Sequence, residues 1–218
     1  MLAFDAEMAG WSPEEFVARV IVEQLRAELV VVGDNFRFGH KAAGDVAFLK
    51  AAGAEHGFGV EGLAIVSDGE ALSSTRVREL VATGDLVGAA EVLGRPHEVS
   101  GVVRRGDQRG RELGFPTANV PVDESYAVPP DGVYAGWLVR ADGERLPAAI
   151  SVGTNPTFDG VERRVESYVL DRTDLDLYDE LIRVEFVERL RGMVKYEGVD
   201  ALIDQMHQDV EQTRRLLA

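Results

Sequence analysis

The sequence predicts an α/β region up to Gly94, followed by a small all-β barrel or sandwich with a C-terminal helix. Three observations carry this reading. Before Gly94, helical and strand patterns alternate, which favours a parallel sheet. From His97 the chain breaks into short β-rich runs separated by turn signals. In the final segment Leu202, Ile203, Met206, Val210, Thr213 and Leu217 form an apolar stripe on an otherwise polar helix. The expected domains are 1–94 and 95–218.

Each element has a local cause. Ser12-Pro13-Glu14-Glu15 reads as a helix start, with Ser12 as cap, Pro13 in the first turn and Glu15 at the capping-box position. Phe16, Val17, Val20, Ile21 and Gln24-Leu25 follow at helical spacing. Leu29 to Val32 is a short apolar run typical of a buried strand, ended by Gly33. A second helix is expected over Asp45 to Glu55 and a strand over Val60 to Val66. Ser74 to Ala82 should be helical and stop at Gly84. Asp85 can cap a further helix ending at Leu93-Gly94. Beyond it the expected strands are Val99–Val103, Gly132–Val139, Leu146–Val152, Val165–Leu170 and Ile182–Val187, with Asp142-Gly143 marking a tight hairpin.

Composition narrows the function. The formal net charge is −15, a surface that repels nucleic acid and acidic membranes. There is no cysteine, which excludes disulfides, thiolate zinc sites and thiol catalysis and fits a reducing cytoplasm. No run approaches the roughly 18 apolar residues of a membrane span, and Met1 to Gly10 lacks the basic flank of a signal peptide. Such an acidic chain must hold any polyphosphate locally, with backbone amides, a metal and a few arginines.

One stretch fits that need: Gly106-Asp-Gln-Arg-Gly110-Arg-Glu-Leu-Gly114-Phe-Pro-Thr117-Ala-Asn119. It is not a P-loop, because no Gly-Lys-Ser/Thr follows the glycines. Gly106, Gly110 and Gly114 let the backbone approach phosphates, Arg109 and Arg111 supply charge, and Pro116 stiffens the chain. Thr117 and Asn119 are two apart, so in an extended segment they face the same way. A hydroxyl and an amide oxygen side by side can hold a hard cation such as Mg²⁺, with phosphate oxygens and water completing its shell. The bland alternative is a Gly-rich hairpin followed by an Asx-type turn.

The full Gly-x-Pro-Thr-Ala-Asn string resembles the signature of the riboflavin kinase family. The resemblance continues through Gly132-Val-Tyr-Ala135, Ser151-Val-Gly-Thr-Asn155-Pro-Thr157-Phe158, Val165-Glu166-Ser-Tyr168, Leu190-Arg191, Lys195-Tyr196 and the Gln205–Asp209 segment, in family order. It implies a small antiparallel β-barrel with a packed C-terminal helix, which phosphorylates riboflavin to FMN with Mg-ATP. It implies Glu166 as catalytic base, Thr117 and Asn119 as metal ligands, the glycine loop as nucleotide site, and Asn155, Thr157 and Arg191 on the flavin side. The implied small molecules are riboflavin, FMN, ATP and ADP.

Gly33-Asp-Asn35-Phe-Arg-Phe-Gly39 and Ser73-Ser74-Thr75-Arg76-Val-Arg78 resemble two motifs of the FMN adenylyltransferase domain, a Rossmann-like nucleotidyltransferase that precedes the kinase in bacterial bifunctional FAD-synthesis enzymes. On that resemblance Asn35, Ser74, Thr75, Arg76 and Arg78 belong to a vestigial adenylyltransferase site. The family's early His-x-Gly-His motif is not in this sequence, whose histidines are His40, His56, His97 and His207. The expectation is an incomplete Rossmann-like domain: a truncated form, a fragment or the product of a misplaced start codon. The leading functional expectation is a riboflavin kinase. The alternatives are a fully bifunctional enzyme making FAD, with the missing segment supplied by a longer natural chain, and a flavin-binding protein without turnover.

Overall fold

The structure is a computed structural model. It describes residues 2–64, 72–106, 109–123, 125–157 and 160–218, with the backbone alone at 109, 155–157 and 160–162. The chain divides into two compact units, 1–72 and 73–218.

The first unit contains α1 (Ala6–Ala9), α2 (Pro13–Phe16), β1 (Leu29–Gly33), α3 (Val46–His56) and β2 (Gly59–Leu63). Ser12 and Glu15 form the expected capping box, each side chain on the other's backbone N–H. The helix then widens into a π-helical stretch, Val17–Gln24, where a regular α-helix was expected. Asp45 caps α3 through the Phe48 N–H, and Gly57 ends it in the left-handed conformation. β1 and β2 pair in parallel, Leu29 opposite Gly59, with α3 as the crossover. β2 is shorter than the expected Val60 to Val66; positions 65–71 lie outside the described residues. Val17, Ile21, Phe38, Leu49 and Phe58 form the core. The Phe-rich loop supplies part of it: Phe38 lies 5.4 Å from Phe16 and 5.5 Å from Phe36, ring to ring. The two-stranded parallel sheet fits part of a nucleotidyltransferase domain.

The second unit opens with α4 (Ser74–Thr83) and α5 (Leu86–Leu93). Ser73 and Asp85 are their N-caps, and Gly84 and Gly94 end them in the left-handed conformation. β3 (His97–Val102), α6 (Arg109–Glu112), β4 (Ala118–Val122), β5 (Gly132–Val139), β6 (Arg145–Thr157), β7 (Gly160–Val169), β8 (Leu181–Gly192) and α7 (Val199–Leu216) follow. The six strands make one antiparallel sheet in the order β3-β8-β5-β6-β7-β4. The two edge strands meet at a bridge between Arg104 and Asn119, which nearly closes the barrel. Register shifts between β5 and β8, at Val133/Tyr134 and Ala135/Gly136, provide the bends that closure needs. A side chain at Gly136 would stand 2.0 Å from the Glu185 carbonyl oxygen, so only glycine lets β5 and β8 approach there.

Tyr134, Leu138, Ile150, Val165, Val184 and Phe186 fill the barrel. Val81, Leu86 and Ala89 of α4 and α5 belong to the same core. The packing division therefore falls at Leu72/Ser73, earlier than the change of sequence texture at Gly94. The apolar faces of these two helices bury against the barrel, and sequence periodicity does not name the partner of a face. α7 packs on β5, β6 and β8. Asp142-Gly143 turns the β5–β6 hairpin as expected, with Gly143 at φ 92°.

Candidate active site

The glycine-rich segment is a loop between β3 and β4, pinned at both ends. At its base the Arg104 N–H donates to the Asn119 carbonyl at 2.8 Å. Within it, α6 runs into a turn where the Gly110 carbonyl accepts from the Leu113 and Phe115 N–H groups at 3.1 and 2.8 Å. Gly114 takes a left-handed φ of 87°. Phe115 then turns inward and is 5% exposed.

β4 was not among the expected strands, yet it carries the central pair. Its short Ala-Asn-Val-Pro-Val run lacks a clean alternation, because Asn119 is buried as fully as its apolar neighbours. The Asn119 amide Nδ2 donates to the Thr117 carbonyl at 3.2 Å and to Thr117 Oγ1 at 3.3 Å, so the two side chains stand together as expected. Asn119 Oδ1 faces Gly106: a Cβ there would lie 2.5 Å from that oxygen. The absent side chain leaves room directly at an amide oxygen whose own N–H groups are engaged elsewhere. Two neutral hard oxygens beside such a cradle fit Mg²⁺. Among the described residues no group of three or more His, Asp or Glu side chains could hold a metal.

Strand register brings Glu166 to this pair. β4 and β7 are antiparallel with Asn119 opposite Glu166, and β6 sets Ser151 opposite Glu166 on the other side. Directly opposed residues share a sheet face, with Cβ atoms about 5 Å apart. Val165, Ser167 and Val169 point into the barrel, whereas Glu166 and Tyr168 lie on the other face.

A pocket of about 410 Å³ opens beside these residues. Gly106, Arg111, Pro116, Thr117 and Asn119 line one side. The segment from Arg172 to Tyr178 lines the other, and the Ser167 hydroxyl is buried at its floor. Sequence reading missed that second wall. Its Asp- and Leu-rich run reads as a surface loop, and only barrel closure carries it to the glycine loop. The Arg105 guanidinium lies 4.9 Å from the Tyr178 ring centre across the rim. Arg172 is held bidentately by Asp174 at 2.7 and 2.9 Å, and this bond keeps the Asp174 carboxyl below its usual range.

The remaining expected residues fall as follows. Arg109 starts α6, with its side chain outside the described residues. Asn155 and Thr157 lie at the end of β6, opposite Glu162 and Gly160, and their side chains are likewise outside. Arg191 sits on β8, but its guanidinium faces α7. Its Nε and Nη2 donate to Asp209 at 2.9 and 2.7 Å, and its Nη1 donates to the Gly192 carbonyl. The Asp209 bonds raise the Arg191 pKa, and Gln205 Nε2 donates to the same carboxylate at 3.0 Å. Arg191, expected on the flavin side, thus ties α7 to the barrel. Asn35 is exposed in the turn after β1, in the first unit. Ser74, Thr75, Arg76 and Arg78 form the first turns of α4, in the second, with Arg78 donating to Ser74 at 3.2 Å.

A family model described as riboflavin kinase matches residues 93–217, and one described as FAD synthetase matches residues 1–76. The bifunctional riboflavin kinase/FMN adenylyltransferase of Escherichia coli (strain K12) is 36% identical over 207 residues, covering 94% of this chain and 66% of that protein. The protein of the same name from Pseudomonas fluorescens is 38% identical over 219 residues, covering all of this chain and 70% of the relative. The chain thus spans about two thirds of the length of these relatives. A solved structure described as a macrolide-efflux protein from Streptococcus pneumoniae matches with a TM-score of 0.81 at 34% identity, over 98% of this chain and 68% of that one. Among the described residues no helix is long and apolar enough to cross a membrane.

Proposed function

The chain belongs to the bifunctional riboflavin kinase/FMN adenylyltransferase family, and from that membership we propose that residues 95–218 transfer the terminal phosphoryl group of ATP to riboflavin. The observation that carries the reading is the β4–β7 register, which pairs Glu166 with Asn119, and Asn119 and Thr117 line a pocket.

In this reading the nucleotide occupies the pocket between the glycine loop and the Arg172–Tyr178 wall. Arg105 and Arg111 offset its phosphate charge in a chain that is otherwise strongly acidic. Thr117 Oγ1 and Asn119 Oδ1 would hold Mg²⁺, which when bound neutralises charge building on the phosphoryl group. Glu166 accepts the proton of the terminal ribityl hydroxyl and orients its oxygen for attack. A carboxylate suits this task because the hydroxyl is a weak acid and needs its acceptor within hydrogen-bond reach. Arg191 contributes through Asp209, by fixing α7. With ATP and riboflavin as substrates, the reaction belongs in the cytoplasm.

A second reading, a chain that also adenylylates FMN to FAD, is favoured by the FAD synthetase match at residues 1–76. The sequence lacks the His-x-Gly-His motif that would stabilise charge on the phosphates of ATP in that reaction. One assay separates the readings: incubation with riboflavin, ATP and Mg²⁺, with the flavins resolved by chromatography. The kinase reading expects FMN with almost no FAD. Efficient FAD formation supports the second, and unchanged riboflavin means binding without turnover.

A further inference from the structure

We infer that His207, on the C-terminal helix, is a positioning residue for the nucleotide loop and acts through Phe115; the inference rests on the kinase reading above. Phe115 is buried although it stands in a loop between a half-buried proline and an exposed glycine. Two rings cover it. Tyr168 lies 5.1 Å away at 61° and His207 lies 5.1 Å away at 63°, both edge-on. Such tilted pairs are favourable beyond the area they bury.

The positions of the three rings in the chain give the contact its meaning. Phe115 comes two residues before Thr117, in the segment that also carries Pro116. Tyr168 comes two residues after Glu166 on β7, so it shares the sheet face of the proposed base. His207 comes two residues before Asp209, which the Arg191 guanidinium ties to β8. One buried ring therefore joins the strand of the base, the approach to the cation pair, and a helix clamped independently to the barrel.

The two members of the cation pair depend on that ring unequally. Asn119 is fixed by its ladder with β7 and by the Arg104 N–H. Thr117 precedes β4 and follows Phe115. If Phe115 loses one covering ring, Thr117 gains freedom while Asn119 keeps its place, and the 3.3 Å contact between them loosens. His207 itself is exposed at the helix surface, so its removal takes little from the core. A purely stabilising role predicts a different pattern of defects from a positioning role.

The test uses the whole chain with His207→Ala and His207→Phe, read by Mg-ADP titration calorimetry, steady-state kinetics and thermal melting. His207→Ala should weaken Mg-ADP binding and raise the KM for Mg-ATP by about two- to tenfold, the range of one aromatic pair. The KM for riboflavin should stay at its wild-type value, the melting temperature should fall by only a few degrees, and His207→Phe should restore the nucleotide parameters. Unchanged nucleotide affinity in His207→Ala, an equally impaired His207→Phe, or a loss of activity that tracks a loss of melting temperature each overturns the inference alone. A wild-type chain that neither binds Mg-ADP nor forms FMN overturns the kinase reading, and the inference with it.

Discussion

Replacing Gly106 by alanine should damage the cation site without touching any of its ligands. The added Cβ would stand 2.5 Å from Asn119 Oδ1, 2.7 Å from Cγ and 2.9 Å from Nδ2. All three are too close for real contacts, so a group must move. Asn119 is 8% exposed and its backbone is locked between Arg104 and β7, so the amide has to rotate away from Thr117. That rotation sacrifices its two hydrogen bonds to Thr117, at 3.2 and 3.3 Å. At about 1 kcal/mol for each bond, the folded variant loses about 2 kcal/mol of stability; a cation bound without Asn119 Oδ1 also loses one charged contact of about 2 kcal/mol, or about thirtyfold in affinity. The assay is calorimetric titration of Gly106→Ala with Mg-ADP, accompanied by the KM for Mg-ATP and by riboflavin binding without nucleotide. Nucleotide affinity should fall by about that factor while riboflavin binding stays unchanged. Wild-type affinity for Mg-ADP would refute the reasoning, because it would place the metal and the phosphates away from Asn119.

Two further perturbations probe the frame that supports the site. Asp209→Ala leaves Arg191, whose side chain is 20% exposed, without its carboxylate, and should cost about 3 kcal/mol in denaturant unfolding; wild-type stability would mean that Arg191 does not hold α7. His97 is half-buried, and this partial burial lowers its pKa even though its Nε2 bonds the Ala127 carbonyl at 2.7 Å. The unfolded chain therefore binds more protons than the folded one as pH falls through about 6.5, the ordinary histidine value. Stability should drop from about that pH downward and level off below the depressed folded value. Melting curves of His97→Leu should lack this acid-side slope, and an unaltered slope would assign it to other groups.

Much of the second unit was legible because its chemistry is local. The cap at Asp85, the stops at Gly84 and Gly94 and the Asp142-Gly143 turn are short-range physics, and the strand Gly132–Val139 fell where its apolar run placed it. The adjacency of Thr117 and Asn119 followed from the period of an extended chain. Three features were out of reach because each depends on which surfaces meet. The wall from Arg172 to Tyr178 joins the site only when β3 and β4 close the barrel. The helices of 74–93 read as part of an α/β domain, but their apolar faces found the barrel core. The bond from Arg191 to Asp209, one helix away, forms only when α7 docks on β8. In the first unit, the run Phe16 to Leu25 marked a helix but gave no sign of its widening into π-helical turns.

The central claim is that Glu166, set opposite Asn119, is the base of a phosphoryl transfer. The most direct measurement compares FMN formation by the wild-type chain and by Glu166→Gln, in the presence of riboflavin and Mg-ATP. The substitution keeps size but removes the proton acceptor. Wild type should form FMN, and the glutamine variant should turn over about a hundredfold more slowly or worse, with Mg-ADP affinity unchanged. Equal FMN formation by the two proteins would contradict the assignment of the base, and no FMN from either would contradict the kinase itself.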